Sequence, residues 1–331
     1  MSLLFQQRQR QSIHERILSL LSLVREQSQK GVFVILVIGE ILFDVFPNYR
    51  RLGGAPFNFA YHLKKFGFNV RFISRIGIDD AGKEILHKLE LARFNLDDLQ
   101  IDEGHPTGSV NVQLDESGTH QFDIISDVAY DYLEFIPEYH SSLIDAAEMI
   151  YFGSLIQRTE AGHETLQAFT VQKPSATLNF YDINLRPGCY NNAVIEKSLL
   201  AADILKLSTD ELGQLKKMLS SKRSNDDFVN HIMETHSIRA VSLTKGESGS
   251  DLFTDQGRFN SKPAEAIAVI DSVGAGDAYA AMLAAGLLKK WQPEEILERA
   301  SLFASRVCEI KGAIPDSASF YEPFKALFAN T

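Results

Sequence analysis

Short apolar segments alternate with amphipathic segments along most of the chain after Gly31. The run at residues 32–39 is continuously apolar, as expected of a strand that is buried on both faces. Further short apolar segments, each predicted to be a strand, lie at residues 70–74, 149–153, 177–182, 203–207, 239–243 and 267–270. Because helical segments separate most of them, the pattern predicts an α/β fold with a mostly parallel sheet and helices on both faces.

The amphipathic segments carry recognisable helix boundaries. Residues 56–66 begin with a proline and place Phe59, Leu63 and Phe66 on one stripe, and Gly67 follows as a stop signal. The same reasoning predicts helices at residues 79–94, 277–288 and 293–310.

One region departs from the alternation of strands and helices. Residues 109–114 alternate polar and apolar side chains, a turn follows at 115–118, and residues 119–125 again read as a strand. This pattern predicts an antiparallel hairpin with one solvent-facing side. The hairpin is either a lid over a site or a simple edge hairpin. We expect lid elements near residues 42–52 and 106–126.

The first 30 residues precede this α/β region. Ile17, Leu20 and Val24 recur at helical spacing, which predicts an amphipathic extension helix over residues 1–30. Several arginines in the same segment leave an organellar transit peptide as the alternative. Residues 31–331 are then expected to form a single domain, because no linker long enough to divide them is present.

Composition narrows the classes of partner. The chain has 331 residues and a formal net charge of −10, which argues against a general affinity for nucleic acid or an anionic membrane. No run approaches 18 apolar residues, so no transmembrane helix is predicted. The two cysteines, Cys189 and Cys308, form no CxxC motif and suit a reducing compartment, so we expect a cytoplasmic protein.

The segment Asp271-Ser-Val-Gly-Ala-Gly-Asp277 lies between a predicted strand and a predicted helix. Gly274 and Gly276 let the backbone approach a ligand closely, and the first N–H groups of the next helix are unpaired at the positive end of its dipole. Together they predict an anion site suited to a phosphate group. Asp277 is then either a general base that takes a proton from an attacking hydroxyl, or simply a helix cap.

A second group of polar residues lies near the other end of the chain. Asp44 follows the first strand, Gly53 and Gly54 come next, and Asn58 lies in the first turn of the following helix. Ligands of parallel sheets bind beyond the carboxyl ends of the strands, and these short polar groups suit the hydroxyls of a sugar. A plain turn and a surface helix are the alternatives. Arg186 follows another strand and is either a ligand clamp or a surface residue.

These two groups resemble the signatures of the PfkB (ribokinase-like) carbohydrate kinases. The segment 271–277 is similar to the C-terminal signature, with Ser272 where threonine is usual, and Gly53-Gly54-Ala-Pro-Phe-Asn58-Phe-Ala resembles the N-terminal one. The resemblance covers residues 32–315. Further segments are most similar to the fructokinase-type branch, among them Gly39-Glu40, residues 106–108, 152–155, 182–186 and 204–208.

The resemblance implies a role for individual residues. Asp277 would be the base; Gly274, Ala275 and Gly276 the anion hole; and Asp44, Gly53, Gly54, Asn58 and Arg186 the sugar site. Thr244, Gly246, Gly249, Ser208 and Ser305 would line the nucleotide, with Ser208 in place of the family's asparagine, and Glu211 would organise Mg²⁺ through water. Asp271 and residues 311–313 resemble the family's monovalent-cation loop, which leaves a dependence on K⁺ open.

The reaction that the resemblance implies is ATP-dependent phosphorylation of a sugar hydroxyl, with fructose to fructose 6-phosphate as the leading case. Another sugar, such as 2-keto-3-deoxygluconate or ribose, is the first alternative. A non-catalytic sugar- or nucleotide-binding regulator is the second. A dehydrogenase is disfavoured because the dinucleotide-binding glycine pattern is missing. The oligomeric state is left open, with a homodimer as one alternative.

Overall fold

The computed structural model describes residues 34–114, 120–262 and 268–328, and within them the strands form two sheets. The strands are β1 (Val34–Ile38), β2 (Leu42–Val45), β3 (Arg50–Gly53), β4 (Asn69–Gly77), β5 (Leu99–Asp102), β6 (Gly108–Leu114), β7 (His120–Ile124), β8 (Met149–Gly153), β9 (Leu178–Asp182), β10 (Ile204–Ser208), β11 (Ala240–Thr244), β12 (Ser250–Thr254) and β13 (Gly257–Ser261). The larger sheet has nine strands in the order β13-β12-β11-β10-β9-β8-β1-β4-β5. All neighbours from β11 to β5 pair in parallel, and β12 and β13 add an antiparallel edge.

The helices alternate with these strands along the chain. They are α1 (Ala55–Phe66), α2 (Asp80–Leu91), α3 (Pro137–Ala146), α4 (Glu160–Val171), α5 (Asn192–Ala201), α6 (Thr209–Met218), α7 (Asn225–His236), α8 (Ala275–Leu288), α9 (Pro293–Val307) and α10 (Glu322–Lys325). The predicted α/β fold with helices on both faces of a mostly parallel sheet is confirmed.

The large sheet separates two apolar cores. All five residues of β1 are buried, and successive side chains face opposite cores: Ile35 and Val37 lie in one, and Leu36 lies in the other. This explains why the run is continuously apolar rather than alternating. The glycine predicted to end the first helix does so, because Gly67 adopts the left-handed conformation with φ 98°.

A separate four-stranded sheet has the order β3-β2-β6-β7. The predicted hairpin is its β6–β7 pair, which is antiparallel, while the predicted turn at residues 115–118 lies outside the described residues. β6 pairs in parallel with β2, and β2 pairs antiparallel with β3. The hairpin is therefore part of a larger sheet, because it pairs with the two strands that precede α1.

Several elements differ from the sequence-based predictions. The predicted last strand at 267–270 is wrong for the described residues 268–270, which are not in a strand. The sheet ends instead in the β12–β13 hairpin, which sequence analysis missed. The helix expected from Asp277 begins at Ala275. The proposed extension at residues 1–30 lies outside the described residues, and no helix within them is both long and apolar enough to cross a membrane.

Candidate active site

Charged side chains gather where β9 and β10 end. Asp182 is the last residue of β9, and its carboxylate accepts a hydrogen bond from Nζ of Lys206 on β10 at 3.0 Å. Both side chains are buried. Burial lowers the pKa of Lys206, but the charges of Asp182, Glu211 and Asp277 outweigh it and raise the pKa overall. A fixed positive charge therefore lies at the carboxyl edge of the sheet.

The glycine loop before α8 lies next to this charge. Gly274 is the N-cap of α8 with φ 80°, and a Cβ at this position would lie only 2.2 Å from Cβ of Ala313. The turn and the close approach both require glycine. A Cβ at Gly276 would lie 3.2 Å from Nζ of Lys206. The N-terminus of α8 and the Lys206 ammonium therefore lie close together and could both attract an anion, although the N–H of Ala275 donates to the carbonyl of Ser272 at 3.3 Å.

Asp277 lies in the first turn of α8 but is not its cap, because Gly274 holds that position. Its Oδ2 accepts a hydrogen bond from Nδ2 of Asn58 on α1 at 2.8 Å. Burial raises the pKa of Asp277, while the Asn58 hydrogen bond and the charges of Lys206 and Arg186 act in the opposite direction. Asp277 is therefore a buried carboxylate that an amide holds in place at a helix N-terminus without capping the helix.

Asp44 belongs to the four-stranded sheet. In the β2–β3 pair it lies opposite Arg51, and a Cβ at Gly53 would approach Oδ2 of Asp44 to 2.7 Å. Burial raises the pKa of Asp44 to about 6, with the charge of Arg186 opposing this and that of Asp271 adding to it. The charge of Arg186 acts on both Asp44 and Asp277, and a cleft between the smaller sheet and the loop at Asp271 separates the two elements.

Arg186 itself is an exposed side chain near this cleft. Its positive charge lowers the pKa values of Glu40, Asp44 and Asp277, although burial raises all three overall. Gly54 adopts φ 108°, and a Cβ there would lie 2.6 Å from the backbone oxygen of Glu40. The structure thus brings the residues predicted for the sugar site to one place.

The loop containing Asp271 is tied to the segment after α9. Oδ2 of Asp271 accepts a hydrogen bond from the amide of Gly312 at 2.8 Å, and the amide of Asp271 donates to the carbonyl of Cys308 at 3.2 Å. Arg51 of β3 reaches the same place, because a Cβ at Gly312 would lie 2.5 Å from its Nη1. A cavity of about 400 Å³ lies between the smaller sheet and this loop, with Val112 on one side and Asp271 on the other.

The residues predicted for the nucleotide lie along the ends of β10 and β11. Thr244 ends β11, and Gly246 and Gly249 in the following turn have φ values of 56° and 86°. Ser208 is the N-cap of α6 and forms a capping box with Glu211.

Two further residues of the predicted nucleotide and metal sites lie apart from these turns. Ser305 lies half-buried on α9. The Glu211 carboxylate accepts hydrogen bonds from Ser208 and from the amide of Leu185. Within residues 34–114, 120–262 and 268–328, no group of three or more histidine, cysteine or acidic side chains is arranged to hold a metal ion.

Sequence analysis missed two buried charged residues at this edge, Lys206 and Glu40. Lys206 interrupts an otherwise apolar strand, Ile-Leu-Lys-Leu, and a charge within a buried strand was the signal that could have identified it. Glu40 follows the first apolar run directly and is 4% exposed. Burial raises the pKa of Glu40 to about 7. Both belong with the residues of the cleft.

Known proteins are similar to this chain in sequence and in fold. Residues 40–319 match the pfkB family of carbohydrate kinases. A fructokinase of Salmonella typhimurium is 27% identical over 274 residues, which cover 79% of this chain and 87% of that protein. The structure of a fructokinase with bound ATP from Xylella fastidiosa superimposes with a TM-score of 0.73 at 20% identity, covering 87% of this chain and 94% of that one.

A third similar protein carries another name. The structure of an aminoimidazole riboside kinase from Salmonella enterica, complexed with aminoimidazole riboside and an ATP analog, gives a TM-score of 0.68 at 21% identity, covering 85% of this chain and 95% of that one. The family match extends over most of the chain and includes both signature segments and every predicted site residue. The chain therefore belongs to the pfkB family of carbohydrate kinases.

Proposed function

We propose that this protein transfers the γ-phosphoryl group of ATP to a sugar hydroxyl, with fructose as the leading acceptor and fructose 6-phosphate as the product. The observation that carries the proposal is the hydrogen bond between Asn58 and Asp277 beside the glycine loop. It joins a group suited to sugar hydroxyls to a base that lies at an anion site.

Asp277 would act as the general base. Its raised pKa, caused by burial, makes it a better proton acceptor than an exposed carboxylate. The amide of Asn58 holds Oδ2 and orients the carboxylate, so that Oδ1 can take the proton of the attacking hydroxyl. The N–H groups of Gly274, Ala275 and Gly276 would stabilise the charge on the transferring phosphoryl group, and Lys206 adds a positive charge beside them.

The nucleotide would lie across the ends of β10 and β11. Ser208, Thr244, Gly246, Gly249 and Ser305 are the proposed contacts, and the ATP bound in a fructokinase of similar fold supports ATP as the nucleotide. Carboxylate and hydroxyl oxygens are the hard ligands that Mg²⁺ prefers, so Glu211 beside Ser208 fits a water-mediated site. When bound, Mg²⁺ neutralises charge on the phosphates. Asp271 and the adjoining backbone at 308–313 are the candidate K⁺ site.

The sugar would occupy the cleft between the two sheets. Asp44, Gly53, Gly54, Asn58 and Arg186 are the proposed contacts, and the fructokinases among the relatives support fructose. 2-Keto-3-deoxygluconate and ribose remain the alternatives, and the aminoimidazole riboside kinase adds a riboside to be tested. The net charge of −10 argues against nucleic acid or a membrane as a partner, and the family favours sugar and ATP. The two cysteines suit a cytoplasmic location. A homodimer is one alternative for the oligomeric state.

A panel of sugars tests the proposal directly. Purified protein with ATP and Mg²⁺ is incubated with fructose, ribose, 2-keto-3-deoxygluconate and aminoimidazole riboside, and ADP release is coupled to a spectrophotometric readout. We expect fructose to give the highest kcat/KM. A higher value for another acceptor would correct the sugar and keep the kinase. ADP release that no acceptor stimulates would favour the non-catalytic regulator.

A further inference from the structure

Three buried polar atoms near the cleft have no hydrogen-bond partner in the described part of the chain. One is Oδ1 of Asn58, which already belongs to the proposed sugar site, and the other two are Oε2 of Glu40 and the hydroxyl oxygen of Tyr130. Glu40 is 4% exposed and Tyr130 is 0% exposed. Leaving a buried polar group unpaired costs about 1–3 kcal/mol, so each of these two atoms calls for an explanation other than stability.

Both residues lie where the smaller sheet leaves the larger one. Glu40 comes two residues after the end of β1, and its backbone oxygen lies against Gly54. The ring of Tyr130 lies against Gly108 at the start of β6, where a Cβ would be only 2.6 Å from it. Gly108 pairs with Leu42, which precedes Asp44 on the same face of β2. The two unpaired atoms are therefore beside the proposed sugar site.

The arginine that lies over the Tyr130 ring does not pair with the Tyr130 hydroxyl. Arg158 lies over the ring of Tyr130 at 5.0 Å, but its guanidinium is engaged by Asp131 through hydrogen bonds of 2.6 and 2.7 Å. The charge of Glu40 contributes to raising the pKa of Tyr130, which burial raises most. Burial is also the main cause of the raised pKa of Glu40, and the charge of Asp277 raises it further. Glu40 is thus electrostatically coupled to both Tyr130 and the proposed base.

We propose that Glu40 and Tyr130 recognise one hydroxyl of the acceptor, which accepts a hydrogen bond from the Tyr130 hydroxyl and donates one to the Glu40 carboxyl. This inference rests on the proposed function and names the chemistry of its acceptor. A neutral polyol satisfies both atoms with a single hydroxyl. The carboxylate of a sugar acid at the same position has no proton to donate and would repel Glu40, so the pair selects neutral sugars over 2-keto-3-deoxygluconate.

The variants Glu40→Gln and Tyr130→Phe separate recognition from a structural role. Because neither atom has a partner in the described chain, we expect the Tm of each free variant at pH 7.5 to equal or exceed that of the wild type. The KM for the acceptor should rise about tenfold or more, equivalent to about 1.4 kcal/mol of binding. The KM for ATP should change less than about twofold, which corresponds to about 0.4 kcal/mol of binding free energy.

Tyr181→Phe is the matched control. Tyr181 is also fully buried and lies in the same apolar core as Tyr130, but its hydroxyl is hydrogen-bonded to Ser154 at 2.6 Å. We expect this variant to lose Tm and to keep the acceptor KM. The opposite result for the proposed pair, with lower Tm and unchanged acceptor KM for Glu40→Gln and Tyr130→Phe, would overturn the inference.

Binding is also measured without turnover, by the rise in Tm that fructose or ribose produces. A sugar concentration of about 50 mM is used because it is well above a millimolar Kd. The sugar-induced rise should be smaller in both variants than in the wild type. If the wild type binds sugar without transferring phosphate, the proposed function fails while this comparison still tests recognition. Equal rises in wild type and variants overturn the inference, and no rise in the wild type with no turnover overturns both.

Discussion

Asn58 donates a hydrogen bond from Nδ2 to Oδ2 of Asp277 across 2.8 Å, although 219 positions separate the two residues in the chain. Asn58 lies in the first turn of α1 and Asp277 in the first turn of α8, so the N-terminal turns of two helices face each other. The contact joins the sugar-binding signature to the glycine loop. This hydrogen bond brings two motifs that are distant in the sequence into contact. The predictions for Asp277 and Asp44 depend on that contact.

The substitution Asp277→Asn should abolish most turnover while keeping the fold and ATP binding. Removal of a general base costs about 10²–10⁴-fold in kcat, and asparagine preserves the size of the side chain. Steady-state kinetics and nucleotide titration measure the two effects. Asp210→Asn is the control, because Asp210 is an exposed acid in the first turn of α6. Wild-type kcat in Asp277→Asn would show that the carboxylate is not the base.

The substitution Asp44→Ala should affect the sugar far more than the nucleotide. Asp44 lies on the smaller sheet opposite Arg51, away from the residues proposed for ATP. Leaving a sugar hydroxyl without its charged partner should raise the acceptor KM about tenfold or more, by about 1.4 kcal/mol per decade. Asp123→Ala is the control, because Asp123 is exposed on β7 of the same sheet. Equal rises in the KM values for sugar and ATP would remove Asp44 from the sugar site.

The β6–β7 hairpin should close over bound sugar. Val110 and Val112 are buried on its inner face, and closure would exclude water from the phosphoryl transfer. Amide hydrogen exchange in residues 108–114 and 120–124 should slow on addition of the acceptor. The β12–β13 hairpin at the far edge of the larger sheet is an internal control whose exchange should stay the same. Unchanged exchange at saturating sugar would indicate an edge hairpin rather than a lid.

Stability should depend on pH through Glu40. Burial raises the pKa of Glu40 from 4.5 to about 7, so between these values the folded state binds more protons than the unfolded state. The free energy of unfolding therefore falls as pH rises through this window. Since each pKa unit corresponds to about 1.4 kcal/mol, the change attributable to Glu40 is on the order of 3 kcal/mol.

Urea unfolding of Glu40→Gln and of the wild type measures this effect. The two pH values are 4.5 and 7.5, because they span the difference of about 2–3 units between the pKa of Glu40 in the unfolded and folded states. The variant cannot ionise at this position, and every other titrating group is common to both proteins. The advantage of the variant over the wild type should therefore be larger at the higher pH. An advantage that is the same at both values would mean that Glu40 is not destabilised by ionisation.

A truncated protein that begins at residue 31 should retain near-normal kinase activity. Every proposed site residue lies at or after Glu40, and the family match begins at residue 40. The ratio kcat/KM for the best acceptor compares the truncated and full chains, and a melting curve shows whether the shortened protein is folded. Folded truncated protein that has lost activity on that acceptor would give residues 1–30 a part in catalysis.

The order of helices and strands could be predicted from the sequence because it depends on spacing between near neighbours. Met149–Gly153 was predicted at its observed bounds, and Gly67 ends α1 as expected because only the local backbone is involved. The β12–β13 hairpin was missed, since β12 is buried but has only two large apolar side chains, and β13 is largely exposed. Residues 268–270 were wrongly predicted to lie in a strand, because a short apolar run by itself does not show whether a neighbouring strand pairs with it.

The sequence by itself predicted a glycine-rich turn that leads into a helix near Gly274 and Asp277, because such a turn forms from adjacent residues. Only the tertiary structure decided that Gly274 rather than Asp277 caps α8, that Asn58 holds Asp277, and that Lys206 lies beside Gly276. These relations depend on how helices and strands pack across the sheet. Packing brings together residues that the chain keeps far apart, and spacing along the chain carries no record of those distances.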